Sequence, residues 1–285
     1  MVTGASSGIG LETAAALAKL GAKVIMACRN VEKAEQIKKD IIEKSDVSIS
    51  DDLLVVKCLE LKSKQSIKQF SDDIHQSVDK IHLLINNAGL INNERCLSDD
   101  GFEMTFAVNH LGHFYLTFLL MDILQNSGDD VRVINVSSEA YKMGTIICDD
   151  LNLEKRNYSA FRAYSHSKLA NVLFTKQLVA NYAENANIRF YVLHPGAVHT
   201  DINRDFKFIR SLVTTFKFML KSAERGSYTT LYCALSKDPL TNGAYFQSCK
   251  EVRLKARGLD MAVAKNLWEA SCEMLEIDWM NSKTQ

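Results

Sequence analysis

Thr3-Gly4-Ala5-Ser6-Ser7-Gly8-Ile9-Gly10 decides how this sequence is read. Three glycines follow Val2 and Thr3 and lead into an alanine-rich stretch, Thr13-Ala14-Ala15-Ala16-Leu17-Ala18. Glycine lets a backbone turn sharply and brings it close to a pyrophosphate. The helix that follows offers unpaired N–H groups and the positive end of its dipole to the same phosphates. The spacing is G-x-x-x-G-x-G rather than the commoner G-x-G-x-x-G. A glycine cluster alone also fits any tight turn, but between a strand and a helix it reads as a dinucleotide-binding loop. Only the last residues of the expected preceding strand are present. The first strand therefore reads as truncated at the N-terminus, which leaves open whether strand residues or a membrane anchor lie upstream.

Outward from this loop, strand-length apolar runs alternate with amphipathic helical segments. The strands are expected at 23–27, 53–58, 81–86, 131–136, 188–193 and 244–246. Helices are expected at 9–20, 31–43, 64–78, 101–125 and 160–183. The strand cores are continuous Val/Ile/Leu runs, as in strands covered on both faces. Repeated β-α units imply a Rossmann-type, doubly wound parallel sheet flanked by helices, a three-layer αβα architecture. Only two prolines occur, Pro195 and Pro239, and no linker or repeat interrupts the pattern, so residues 1–285 read as one domain.

Composition narrows the function. The 285 residues carry equal numbers of acidic and basic side chains, which argues for no nucleic-acid partner. The seven cysteines form no C-x-x-C pair, and the seven histidines show no metal-ligand spacing. No metal is expected. Reduced thiols fit a cytoplasmic location or the cytosolic face of an intracellular membrane. The sequence contains no signal peptide and no apolar run long enough to span a bilayer.

At the end of the second strand stands Met26-Ala27-Cys28-Arg29-Asn30. Folds that prefer NAD usually place a carboxylate here for the ribose 2′-hydroxyl. Cys28 occupies that position and Arg29 follows, and a guanidinium pairs with the 2′-phosphate of NADP. NADP(H) is the expected cofactor. Two pieces carry candidate chemistry. Asn135-Val136-Ser137-Ser138 brings two hydroxyls to the carboxyl end of a strand. Tyr164-Ser165-His166-Ser167-Lys168 puts a phenol and an ammonium at i and i+4 on one helix face. A free phenol, with a pKa of about 10, is a poor acid–base group at neutral pH, and a nearby ammonium favours the phenolate.

The glycine motif, Asn86-Asn87-Ala88-Gly89, Asn109, Ser138, Tyr164-x-x-x-Lys168 and Pro195-Gly196 occur in the order found in short-chain dehydrogenase/reductases. The chain resembles that family throughout. Val108-Asn109-His110-Leu111-Gly112-His113-Phe114, Ser167-Lys168-Leu169-Ala170-Asn171 and His194-Pro195-Gly196 make it most similar to the NADP-dependent retinol dehydrogenase branch. The resemblance implies that Tyr164 moves the proton, and that Lys168 binds the nicotinamide ribose and depresses the Tyr164 pKa. It implies that Ser138 positions the substrate oxygen and that Asn109 holds a relay water. Gly4, Ser6, Ser7, Gly8, Ile9 and Gly10 would surround the pyrophosphate. Arg29, Asn30, Glu60, Asn87, Ala88 and Gly89 would line the adenosine half. Pro195, Gly196, Val198 and Thr200 would meet the nicotinamide half. Glu60 stands where the family usually has aspartate.

The implied activity interconverts a lipophilic alcohol and an aldehyde or ketone, with retinol/retinal the first candidate. Other lipid aldehydes, steroids or quinones, and a non-catalytic NADP(H)-binding sensor, remain alternatives. The segment 201–221 interleaves Phe206, Phe208, Phe216 and Phe218 with Lys207, Arg210, Lys217 and Lys221. It reads as a substrate lid that closes over a lipophilic substrate or docks on an anionic membrane surface from which that substrate is drawn. The resemblance also makes a homodimer plausible. His110 and His113 read as packing or solvent contacts, and His166 as pointing away from Tyr164.

Overall fold

The computed structural model describes residues 1–185, 187–198 and 221–279. These form β1 (Val2–Thr3), α1 (Gly8–Lys19), β2 (Val24–Cys28), α2 (Val31–Glu43), β3 (Leu54–Cys58), α3 (Lys64–Ser77) and β4 (Leu83–Asn86). A helical stretch follows as α4 (Met104–Phe106), a π-turn (Ala107–Leu111), α5 (Gly112–Leu119) and α6 (Met121–Gln125). Next come β5 (Val131–Val136), α7 (Ala160–Asn181), β6 (Ile188–His194), α8 (Ala223–Leu235), β7 (Tyr245–Gln247), β8 (Lys250–Glu251) and α9 (Met261–Leu275). The predicted lid falls outside the described residues except for Lys221, as does Thr200.

One eight-stranded sheet runs in the order β3-β2-β1-β4-β5-β6-β7-β8. All neighbours are parallel except β7 and β8, so an antiparallel edge strand is added to the expected parallel sheet. The chain order reverses between β1 and β4, and ligands of such sheets bind outside the carboxyl ends at that switch point. The two residues of β1 suffice to place it at the centre: Val2 pairs with Met26 on one side and Ile85 on the other.

Both faces of the sheet are covered. Ala14 and Leu17 of α1, Ala34 and Ile41 of α2, and Cys233 of α8 pack against Val24, Met26 and Ile134 on one face. Ile67 of α3, Phe114 of α5, Leu173 of α7 and Trp268 of α9 pack against Ile25, Val133 and Phe190 on the other. This is the three-layer arrangement that the continuous apolar strands imply.

Two expectations are corrected. Residues 101–125 are not one even helix. The stretch begins at Met104, passes through the π-turn and breaks near Leu120. Buried Glu103 fixes the start, its carboxylate accepting from the N–H groups of Thr105 and Phe106 at 2.9 and 2.7 Å. Helices α8 and α9 were not expected from periodicity. Helix α9 closes an aromatic cluster in which Trp268 stands 4.7 Å from Phe114 and 5.9 Å from Phe174, ring centre to ring centre.

Candidate active site

The glycine loop connects β1 to α1 at the switch point. Gly4 and Gly8 have φ of +66° and +55°, the left-handed region that glycine adopts without strain. A Cβ on Gly10 would lie 2.4 Å from the Gly4 carbonyl oxygen and 2.5 Å from Asn87 Nδ2, so only glycine fits the turn. Ser7 precedes α1 as its cap residue in extended backbone, and its side chain makes no capping hydrogen bond. The first-turn N–H groups are thus left for an anion, and the loop presents backbone where a side chain would block it. Such a cradle fits a dinucleotide pyrophosphate.

The adenosine end is less uniform. Arg29 is 73% exposed, with Nε 4.0 Å from Glu60 Oε2, a contact loose enough to yield to a phosphate. Burial raises the Glu60 carboxyl pKa, opposed chiefly by Arg29. Asn30 is committed to structure: its carboxamide oxygen caps α2 by accepting from Lys33 N–H at 2.8 Å. The carboxamide of Asn87 likewise turns inward, donating to the Thr3 carbonyl at 2.9 Å. Gly89 has its own steric reason, since a Cβ there would stand 3.2 Å from Asn109 Oδ1 and 3.5 Å from Lys168 Nζ.

A buried polar ladder seats α7 on the sheet. Asn86 Nδ2 donates to Asn135 Oδ1 at 2.8 Å, and Asn135 Nδ2 donates to Thr175 Oγ1 at 2.9 Å. Ser137 donates to the Lys168 carbonyl at 2.7 Å, so of the two hydroxyls at this strand end it fixes the helix. Ser138 is the one that reaches Tyr164, its hydroxyl opposing a rise in the phenol pKa. Lys168 Nζ donates to the Val136 carbonyl at 3.0 Å and lies 5.6 Å from the centre of the Tyr164 ring.

Burial alone pushes the Lys168 pKa down to about 8. It also pushes Tyr164 up, outweighing Ser138, which reverses the expectation of a depressed phenol pKa. The physical reason is that both groups are withdrawn from water, which disfavours both charged forms.

The Lys168 shift has a stability consequence. A buried base with a lowered pKa binds its proton less readily folded than unfolded. Between about pH 8 and the ordinary lysine value of about 10.4 the unfolded chain holds the extra proton, so this group makes stability rise with pH. Buried thiols and phenols titrate in the opposite sense over the same range. The expected result is therefore a difference: unfolding free energy of wild type minus Lys168→Met should grow above pH 8, by at most about 1.4 kcal/mol per pH unit. Urea melts at pH 7, 8, 9 and 9.5 measure it, and a flat difference would contradict the burial.

Asn109 lies in the π-turn, an irregularity often found at functional sites. Its Oδ1 accepts from Leu90 N–H at 2.8 Å. Its Nδ2 donates to the Leu90 carbonyl and the Ser167 hydroxyl, both at 3.0 Å. At the other end of the site, Gly196 has φ +97° and carries the aliphatic part of Lys221 against it. Pro195 precedes it in the loop leaving β6. Val198 pairs with Lys221 in an isolated bridge. The side chains of Val198 and Ile9 both lie against Gly226 of α8, where an added Cβ would stand 2.7 and 3.1 Å from them.

The arrangement groups a phosphate cradle, a hydroxyl, a phenol and a buried amine at the carboxyl ends of β1, β4 and β5. A protein-family model described as short chain dehydrogenase matches residues 1–208. The chain belongs to the short chain dehydrogenase family. The enzyme is 42% identical over 281 residues to mouse retinol dehydrogenase 12, covering 98% of this chain and 86% of that protein. Human retinol dehydrogenase 11 is 39% identical over 276 residues, covering 96% and 85%. Among solved structures, a protein from Mycobacterium Paratuberculosis matches with a TM-score of 0.78 and 34% identity, over 97% of this chain and 92% of that one. As an oxidoreductase of this family the enzyme acts on a small molecule. Among the described residues no helix is long and apolar enough to cross a membrane, and no group of three or more His, Cys, Asp or Glu could hold a metal.

Sequence reading passed over two members of the site's support. In the sequence Thr3 reads only as part of the glycine motif, and His113 as packing or a solvent contact. His113 is buried, with both ring nitrogens bonded. His110 and His166 are buried as well, and His166 Nδ1 donates to the Thr145 carbonyl at 2.8 Å. The signal available for His113 was its i+4 spacing from Asn109, which puts both on one helix face.

Proposed function

We propose that this enzyme interconverts a lipophilic primary alcohol and its aldehyde with NADP(H), and that retinol and retinal are its first candidate pair. The observation that carries the reading is the convergence of Tyr164, Ser138 and Lys168 beside the glycine cradle. The names of the retinol dehydrogenase relatives support the substrate class.

A nicotinamide cofactor, when bound, supplies or accepts the hydride. Gly4, Ser6, Ser7, Gly8, Ile9 and Gly10 hold its pyrophosphate, Arg29 its 2′-phosphate, and Ala88 and Gly89 the backbone side of its adenosine half. Pro195, Gly196 and Val198 flank its nicotinamide half. In the reductive direction, Tyr164 donates its phenolic proton to the carbonyl oxygen as that oxygen gains charge. Ser138 donates a hydrogen bond to the same oxygen and holds it within reach. Lys168 offsets the charge left on the phenol, and Asn109 maintains the packing of Leu90 and Ser167 around it. Oxidation runs the same proton path backwards. The seven free cysteines support a reducing compartment, and the basic, aromatic composition of 201–221 supports a lipophilic substrate.

Retinal, decanal, a 3-ketosteroid and a quinone, each assayed with NADPH and with NADH, test the reading. Retinal or decanal should turn over with NADPH preferred. Turnover of the steroid or quinone alone would move the activity to another substrate class, and no turnover with any of them would overturn it.

Cofactor choice has its own test. A charge-assisted contact from Arg29 contributes about 1.5–3 kcal/mol, or roughly ten- to hundred-fold in preference. Arg29→Ala should reduce the NADPH over NADH ratio of kcat/KM by that factor. An unchanged ratio would remove the assignment.

A further inference from the structure

We propose that His113 is a positioning residue that locks the nucleotide-binding strand ends to the helix carrying Asn109, and so sets the shape of the cofactor cradle. The inference rests on the NADP(H) reading above.

His113 Nδ1 lies 3.2 Å from the Asn109 carbonyl oxygen, and Nε2 lies 2.9 Å from Thr3 Oγ1. A carbonyl only accepts, so Nδ1 carries the ring proton. Burial holds the imidazole pKa down to about 4, so the ring is neutral and Nε2 accepts. The Thr3 hydroxyl must then donate to Nε2, a shorter contact than its 3.4 Å approach to the Ile85 carbonyl.

With its proton committed to the ring, Thr3 Oγ1 has lone pairs to spare, and two backbone donors use them. Asn87 N–H and Ala88 N–H reach it at 2.9 and 3.0 Å. The hydroxyl is thus fully satisfied, one proton given and two received, and its orientation is dictated by His113. These bonds hold the end of β1 to the end of β4 immediately before the glycine loop, where Ala88 packs against Gly4.

The other end of the ring reaches the chemistry. Asn109 bonds to Ser167, and the Ser167 hydroxyl donates to the Tyr164 carbonyl at 2.8 Å. One imidazole thereby connects the phosphate cradle to the backbone of the acid–base helix. The Lys168 ammonium adds to burial in disfavouring a charged ring, and an apolar replacement would take the ring's acceptor from Thr3 and its donor from the Asn109 carbonyl in a buried setting.

Amide replacements divide the bridge. Asn at position 113 can imitate Nδ1 and keep the Asn109 half, and Gln can imitate Nε2 and keep contact with Thr3. NADPH affinity of His113→Asn, His113→Gln and His113→Phe is to be measured by fluorescence titration, beside Thr3→Val and the Thr3→Val/His113→Gln double variant. Thermal melts and kcat and KM for NADPH accompany each titration.

A positioning role predicts that Kd and KM for NADPH rise about ten-fold in His113→Phe, with kcat changed less than about three-fold. Asn and Gln should each recover only part of the loss. The double variant should be no weaker than Thr3→Val, because both changes break one bridge. Lower melting temperatures with unchanged Kd and KM in the folded variants would show simple core packing and overturn the proposal, as would additive effects. If His113→Phe fails to fold, the Gln and Thr3→Val pair decides alone. A wild-type protein that binds NADPH but reduces no carbonyl sinks the proposed activity while leaving this binding test in force. A wild type that binds no NADPH sinks both.

Discussion

Tyr164→Phe should lower turnover by roughly a hundred- to ten-thousand-fold while leaving NADPH binding within a few-fold of wild type. The substitution removes one oxygen and keeps the ring, so the packing of α7 against the sheet is retained. What is lost is the phenolic oxygen on which Ser138 acts directly, on a ring whose centre Lys168 Nζ approaches to 5.6 Å. Because burial raises the phenol pKa, the protonated form prevails at neutral pH, which suits an acid that must give a proton to a carbonyl oxygen. Single-turnover measurements with pre-bound NADPH separate this step from binding. Wild-type turnover in the variant would refute the assignment of Tyr164, whatever its effect on stability.

Replacing Gly10 by valine should reduce NADPH affinity by about a hundred-fold and lower the melting temperature. The argument is steric. Even a bare Cβ would lie 2.4 Å from the Gly4 carbonyl oxygen, a backbone atom that cannot swing aside as a side-chain tip could. It would also displace Asn87 Nδ2 from its 2.9 Å bond to the Thr3 carbonyl. Overpacking of this kind costs about 1–3 kcal/mol, and here the strain falls on the loop that must cradle the pyrophosphate. Equilibrium titration with NADPH and a thermal melt measure both parts. Undiminished affinity would mean that the loop does not contact the phosphates. A contrast is available in Gly21, where an added Cβ would meet nothing within 4 Å. There, alanine meets only the backbone strain of φ +83° and should spare NADPH binding.

Much of this was legible in the sequence because it depends on local periodicity. Continuous apolar runs marked β2 to β6 with boundaries within about two residues, since a strand buried on both faces has no polar side to show. The glycine spacing marked the loop, and the i, i+4 interval put Tyr164 and Lys168 on one face of α7. The resemblance to short-chain dehydrogenase/reductases supplied Ser138 and Asn109, and the family match agrees with it. Less was legible where polar side chains face inward. Asn30 and Asn87 sit at cofactor-facing positions in the sequence pattern, yet one side chain caps α2 and the other holds Thr3. Nothing in their spacing distinguishes an amide aimed at a ligand from one aimed at the backbone.

By itself, then, the sequence determined the layered α/β fold, the place of the phosphate loop and the presence of a phenol and an amine on one helix face. These follow from chain-local rules: continuous apolar runs of strand length, the 3.6-residue period of helices, and the freedom of glycine to turn. Only the tertiary structure decided that Ser137 fixes the helix through the Lys168 carbonyl, that the helix through Asn109 contains a π-turn, and that burial pulls the Lys168 pKa down while pushing Tyr164 up. It alone joined Thr3 to His113 across 110 residues of chain. The reason is physical: a hydrogen bond needs two groups within about 3 Å, and the desolvation behind a pKa shift sums over every element packed around a group. Both are set by how layers meet in space, and no period along the chain encodes that meeting.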